Sequence, residues 1–166
     1  MTTFYEDMFK GNSIKELIKA LLEKSGYTVI PYGYESTLSD IKKKLNQRDS
    51  KNSRTARRIR SSPDLLVYDD QRNDVTLVEI KMRNAPSETK VLSLKISFCK
   101  EFWNDSYLIV VVPCGNIFYA QKVSEIENKQ EYNLTKEFER LEEIFTRIKL
   151  EDMPYYKTEA LRIMGK

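Results

Sequence analysis

Ser62-Pro63-Asp64-Leu65-Leu66-Val67-Tyr68, followed after a polar turn by Val75-Thr76-Leu77-Val78-Glu79-Ile80-Lys81, is the stretch that decides the fold. Both arms are strand-sized and dominated by Leu, Val and Ile, and Asp69-Asp70-Gln71-Arg72-Asn73-Asp74 between them is turn chemistry. The reading is a β-hairpin, 64–68 against 75–81. With the turn centred near Arg72, facing residue numbers sum to about 144, so Asp64 lies opposite Ile80 or an immediate neighbour. Strand alternation puts Glu79 and Lys81 on one face. Asp64 joins that face if the register shifts by one. Two carboxylates and an ammonium then gather at one end of an otherwise apolar sheet.

Those residue types suit phosphodiester hydrolysis. Hard oxygen ligands hold Mg²⁺ or Mn²⁺, usually through one or two carboxylates plus waters. The ion relieves charge on the phosphate and acidifies a water, and a neighbouring lysine orients that water or stabilises the transition state. Each residue alone has an ordinary explanation. Most Glu-x-Lys pairs are surface ion pairs of little consequence, and an aspartate after proline often just starts a strand.

Outward from the hairpin, residues 12–25 carry Ile14, Leu17, Ile18, Leu21 and Leu22 at helical spacing. Ser13 with Glu16 reads as a capping box, and Gly26 as the stop. Residues 27–30 form a strand. A helix is expected over 88–103, with apolar residues around more than half its circumference. Tyr107-Leu108-Ile109-Val110-Val111-Val112 reads as a central strand covered on both faces. Residues 117–120 form another short strand, 134–150 a charged amphipathic helix, and 154–164 a short one. The fold class is therefore α/β, a mixed central sheet flanked by helices in one domain over 1–166. Residues 36–62 are a basic, mobile insertion, and 134–166 are a C-terminal helical extension.

The Pro63–Lys81 motif resembles the signature of the PD-(D/E)xK nuclease superfamily, the restriction-endonuclease-like fold with its αβββαβ order. The resemblance covers residues 13–113 in element order, and its residue-level match is confined to the motif. It implies Asp64 and Glu79 as metal ligands, with the main-chain carbonyl of Ile80 assisting, and Lys81 as the residue that orients water. It implies Mg²⁺ (or Mn²⁺) as cofactor and DNA as substrate. The first helix running into Gly26-Tyr27-Thr28-Val29 is also similar to the opening of archaeal Holliday junction resolvases and type IV restriction nucleases. Such relatives usually carry a further glutamate on that helix. The corresponding position here, eleven residues before Gly26, is Lys15. Glu16 lies opposite the apolar face and is accounted for by the capping box. Glu35, after the first strand, is favoured as the third acid, against the plainer reading of an exposed loop glutamate. Lys95, on the expected 88–103 helix, either approaches the site or runs its stem over apolar surface.

Charge points the same way. The net charge of +3 conceals nine bases and one acid between Lys42 and Arg60, a local +8 against −5 for the rest. Arg54, Arg57, Arg58 and Arg60 lead directly into Asp64 and suit bidentate phosphate contacts. The chain has no histidine and two cysteines, Cys99 and Cys114. That excludes histidine-dependent nucleophilic schemes and imidazole zinc sites. Both cysteines are expected as free thiols. No apolar run reaches membrane-span length and the opening residues lack a secretory pattern, so a cytoplasmic protein without membrane contact is expected. The 134–150 helix and Tyr155-Tyr156 offer a face for a homodimer. The competing reading is a catalytically inactive nucleic-acid-binding or scaffold subunit on the same fold.

Overall fold

In the structure, a computed structural model that describes residues 4–33, 53–92 and 94–166, the hairpin forms the middle of a six-stranded mixed sheet. In chain order the elements are α1 (Phe4–Lys24), β1 (Thr28–Pro31), α2 (Arg54–Arg60), β2 (Leu65–Asp69), β3 (Asp74–Met82), β4 (Val91–Leu92), α3 (Ser97–Phe102), β5 (Tyr107–Val111), β6 (Phe118–Lys122), β7 (Glu131–Tyr132), α4 (Leu134–Glu137), β8 (Glu139–Arg140), α5 (Leu141–Ile144) and α6 (Met153–Met164). The sheet runs β1-β2-β3-β5-β6-β8, with β3 and β5 parallel and the other neighbours antiparallel. β4 and β7 make a separate two-stranded ladder. No described helix is long and apolar enough to cross a membrane.

Each sheet face carries its own core. Leu65, Val67, Val78, Ile80, Ile109, Val111 and Phe118 pack against α1 and α6 through Ile14, Ile18, Leu21, Met153, Tyr156 and Ala160. On the opposite face, Leu108, Val110, Val112 and Tyr119 pack against Leu94, Ile96, Cys99, Leu134 and Phe138. β5 lies between the two cores and is apolar on both faces, as its sequence requires.

α1 begins eight residues before the expected start, so Ser13 is inside a helix and the Ser13/Glu16 capping box does not exist. Glu6 and Asp7 in its first turn complement the helix dipole, and the helix passes through Gly11 at a modest propensity cost. Its other end is as read. The Tyr27 amide donates to the Leu22 carbonyl (3.1 Å) and the Gly26 amide to that of Glu23 (2.9 Å), a Schellman closure with Gly26 at φ 88°. A Cβ on Gly26 would fall on the Arg147 guanidinium, which stacks on Tyr27 and binds Asp69 (3.0 Å) and Asp70 (2.6 Å) at the hairpin turn. Gly26→Ala is expected to cost about 1–2 kcal/mol, read as a lower urea midpoint at unchanged slope.

Three expectations are corrected. The 88–103 helix shrinks to α3, because Val91 and Leu92 pair with β7 and Lys95 takes a left-handed φ of 53° that breaks helical continuity. The 134–150 helix is α4, the edge strand β8 and α5 in succession. Leu134 and Phe138 serve one core while Leu141, Phe145 and Ile148 serve the other, and one straight helix cannot supply both faces of a sheet. Those residues are turned into the chain's own cores, while Leu150 and Tyr155 stay exposed. Finally, 53–60 of the basic insertion is ordered as α2, capped by Ser53, whose side chain accepts from the Ala56 amide (3.0 Å). Residues 36–52 of that insertion, and Glu35, lie outside the described residues. α6 forms as expected.

Candidate functional site

The register settles where the three charged residues meet. Leu65 pairs with Val78 and Asp69 with Asp74, one position from the symmetric expectation. Continued past the start of β2, this register sets Asp64 opposite Glu79 and brings both carboxylates to one face. The chain around Asp64 is pinned: the Tyr32 amide donates to its carbonyl (2.9 Å), as does that of Gly33 (3.3 Å). The Ile80 amide donates to Asp64 Oδ2 (2.8 Å), taking the acceptor that β2 would have supplied had it been longer. A strand residue directs its amide and carbonyl to the same edge, so the Ile80 carbonyl also faces the Asp64 side.

Glu79 is buried, 7 % exposed, and the Lys81 ammonium donates to its Oε1. Burial first, and the neighbouring Asp64 charge second, raise the Glu79 carboxyl to about 7, with Lys81 and Lys15 opposing. Burying two carboxylates side by side is costly, and proteins tolerate it where cations are at hand. The first cation is Lys81. The second is Lys15, which reaches from α1 to Asp64 Oδ1 at 2.6 Å.

These groups form the floor of a cleft of about 690 Å³, lined by Asn12, Lys15, Glu16, Gly33, Arg57, Arg60, Ser61, Ser62, Asp64, Glu79, Lys81, Lys95, Phe98 and Cys99 among others. Five of its lining side chains are cationic and three are acidic, which favours an anionic occupant. Glu16, exposed on α1, stands at the lip. Lys95 also lines the cleft, from a strained loop conformation and not from a helix. The Cys99 thiol is pushed up to about 11, mainly by burial, which leaves it a packing residue. Cys99 and Cys114 are both free.

The four arginines divide by placement. Arg57 and Arg60 line the cleft, and Arg57 also reaches Glu101 at 4.0 Å. Arg54 lies over Phe102 (6.0 Å) and Arg58 over Trp103 (5.2 Å), fastening α2 to α3. The Trp103 indole adds a hydrogen bond to Ser61 Oγ (3.3 Å).

The structure thus brings together Asp64, Glu79, Ile80 and Lys81, sets Arg57 and Arg60 beside them, and places the exposed Arg54 and Arg58 over the rings of Phe102 and Trp103. The Lys15–Asp64 pair was not expected. Its trace in the sequence is a charged residue one place after Ile14 on a helix whose end leads straight into β1. Among the described residues, no three acids or cysteines cluster closely enough to enclose a metal ion. The available donor set is the two carboxylates with the Ile80 carbonyl, which fits the sparse protein ligation typical of Mg²⁺. No family model matches the chain, and no curated protein matches it.

Proposed function

We propose that the chain is a divalent-metal-dependent nuclease with a restriction-endonuclease-like fold of the PD-(D/E)xK type, hydrolysing phosphodiester bonds in DNA. The observation that carries this reading is the convergence of Asp64, Glu79 and Lys81 on the floor of a cationic cleft. Asp64, Glu79 and the Ile80 carbonyl would hold Mg²⁺ or Mn²⁺. Such an ion supplies charge relief at a phosphate oxygen and acidifies a water. Lys81 keeps an ammonium beside Glu79, where it orients that water and stabilises charge developing on the phosphate. The Ile80 amide holds the Asp64 carboxylate in one orientation. Arg57 and Arg60 position the backbone through charge-assisted contacts.

The test is a cleavage gel of the purified chain with Mg²⁺ or Mn²⁺ against linear duplex, single strand, flap and four-way junction. Cleavage of at least one substrate, suppressed by chelator, is expected. Intact DNA throughout the panel would falsify the nuclease reading. For the arginines, the double variant Arg57→Ala/Arg60→Ala should weaken DNA binding in chelator and lower the slope of log affinity against log salt by about 2. Anisotropy titrations at several salt concentrations measure this. An unchanged slope removes both residues from the phosphate contact.

A second reading has its own observation. With the Lys15 ammonium on Asp64, at the helix position where the resembled nucleases usually carry a glutamate, the fold also suits a nucleic-acid-binding subunit without cleavage. Salt-dependent DNA binding with no Mn²⁺ heat in calorimetry would favour it.

A further inference from the structure

Lys15 occupies the place of a cation. Its ammonium sits 2.6 Å from Asp64 Oδ1, while Oδ2 accepts from the Ile80 amide at 2.8 Å, so both oxygens of this carboxylate have donors. Glu79 has its own ammonium in Lys81. Asp64, Glu79, Lys15 and Lys81 therefore form a quartet of two carboxyl and two ammonium groups, in which the carboxyl side chains are 13 % and 10 % exposed. A divalent ion entering this quartet meets two things at once. It loses one carboxylate oxygen to Lys15, and it meets the repulsion of a positive charge at ligand distance.

Lys15 is also built to leave. Its side chain is 35 % exposed, more than the 27 % of Lys81, and it comes from α1 instead of from the hairpin that carries the acids. A lysine has a flexible four-carbon stem and a compact charge with rotatable donors, so its ammonium can exchange a carboxylate for another anion without moving the backbone. In a cleft that takes polyanions, that other anion is a phosphate of the substrate.

Building on the metal reading above, we propose that Lys15 is a positioning residue that competes with the divalent ion for Asp64. It keeps Asp64 neutralised and in place while the site holds no ion, and it lowers the affinity for the ion until an incoming phosphate draws its ammonium away. Metal and nucleic acid then bind cooperatively, each removing an obstacle to the other.

Mn²⁺ titration calorimetry on the full chain without nucleic acid tests this, with cleavage playing no part in the readout. Lys15→Met, which keeps the stem and removes the charge, should bind Mn²⁺ about tenfold more tightly than the parent, as expected for deleting one nearby like charge in a partly solvated site. Lys15→Gln should follow it, and Lys15→Arg should stay near the parent. A lysine that merely braced the cleft would give the opposite sign, because its loss would loosen the site and weaken binding. Asp64→Ala should abolish the heat in every background. Unchanged or weaker Mn²⁺ binding in both neutral variants, with an Asp64-dependent heat still present, overturns the competition and leaves the metal reading standing. Absence of Asp64-dependent heat in the parent and in both neutral variants overturns both.

Discussion

Asp64→Ala and Lys81→Ala are each expected to eliminate detectable DNA cleavage while leaving DNA affinity in chelator within about twofold. The two variants remove different things. On the nuclease reading, Asp64→Ala deletes a carboxylate that would ligate the metal, and it leaves the Ile80 amide without the acceptor it has at 2.8 Å. Lys81→Ala deletes the cation beside Glu79 and, on the same reading, the donor that would orient the attacking water. Removing one preorganised donor of this kind typically lowers turnover by ~10²–10³. Binding survives because Arg57 and Arg60 lie on α2, outside the hairpin. Asp64→Asn separates chemistry from folding: its amide oxygen still accepts from Ile80, so thermal stability should hold while cleavage is lost. Cleavage persisting in both alanine variants would sink the assignment of this cleft.

The second large effect is a pH dependence centred on Glu79. Its carboxyl titrates at about 7 in the folded protein against an ordinary value of 4.5, for which burial is the first cause and Asp64 the second. Between those values the folded state holds a proton that the unfolded state has released. Stability therefore falls as pH rises from 4.5 to 7 and is level beyond, a total on the order of 3 kcal/mol. Urea unfolding in chelator at pH 5, 6, 7 and 8 should show this decline, and Glu79→Gln, neutral throughout, should flatten it. A divalent ion reverses the preference by favouring the carboxylate, so Mn²⁺ should stabilise the parent chain more at pH 8 than at pH 6. On the nuclease reading, activity should rise as pH climbs through 7. A flat stability profile in the parent would mean that Glu79 ionises as an ordinary surface acid.

The hairpin was legible because its information is local. Strand-sized runs of Leu, Val and Ile, a turn-rich hexapeptide and an apolar β5 segment determine their own geometry. The symmetric estimate placed Asp64 opposite Ile80 or a neighbour, and the real pairing of Asp69 with Asp74 selects the neighbour Glu79. Errors came where structure depends on distant partners. Val91 and Leu92 look helical beside Leu94 and Ile96, but their strand is made by pairing with Glu131 and Tyr132 some forty residues later. Glu139 and Arg140 have no strand signal of their own and become one by joining β6. The apolar residues from Leu134 to Ile148 have the spacing of one helix face, and that spacing cannot say that they serve two separate cores. At the site, side-chain types and strand positions were visible. The Lys15–Asp64 pair was not, because it depends on how closely α1 passes the start of β2.

Trp103 is the chain's one tryptophan. It lies where α2 meets α3, with Arg58 over its ring at 5.2 Å, Tyr32 edge-on at 6.1 Å and its indole bonded to Ser61. That makes it a native optical reporter: intrinsic fluorescence excited at the indole comes from a single environment shared by the basic helix and the chain leaving β1. A change in how α2 sits, whether on loading the cleft with polyanion or on removing Arg58, should register as a shift in emission, with no label attached.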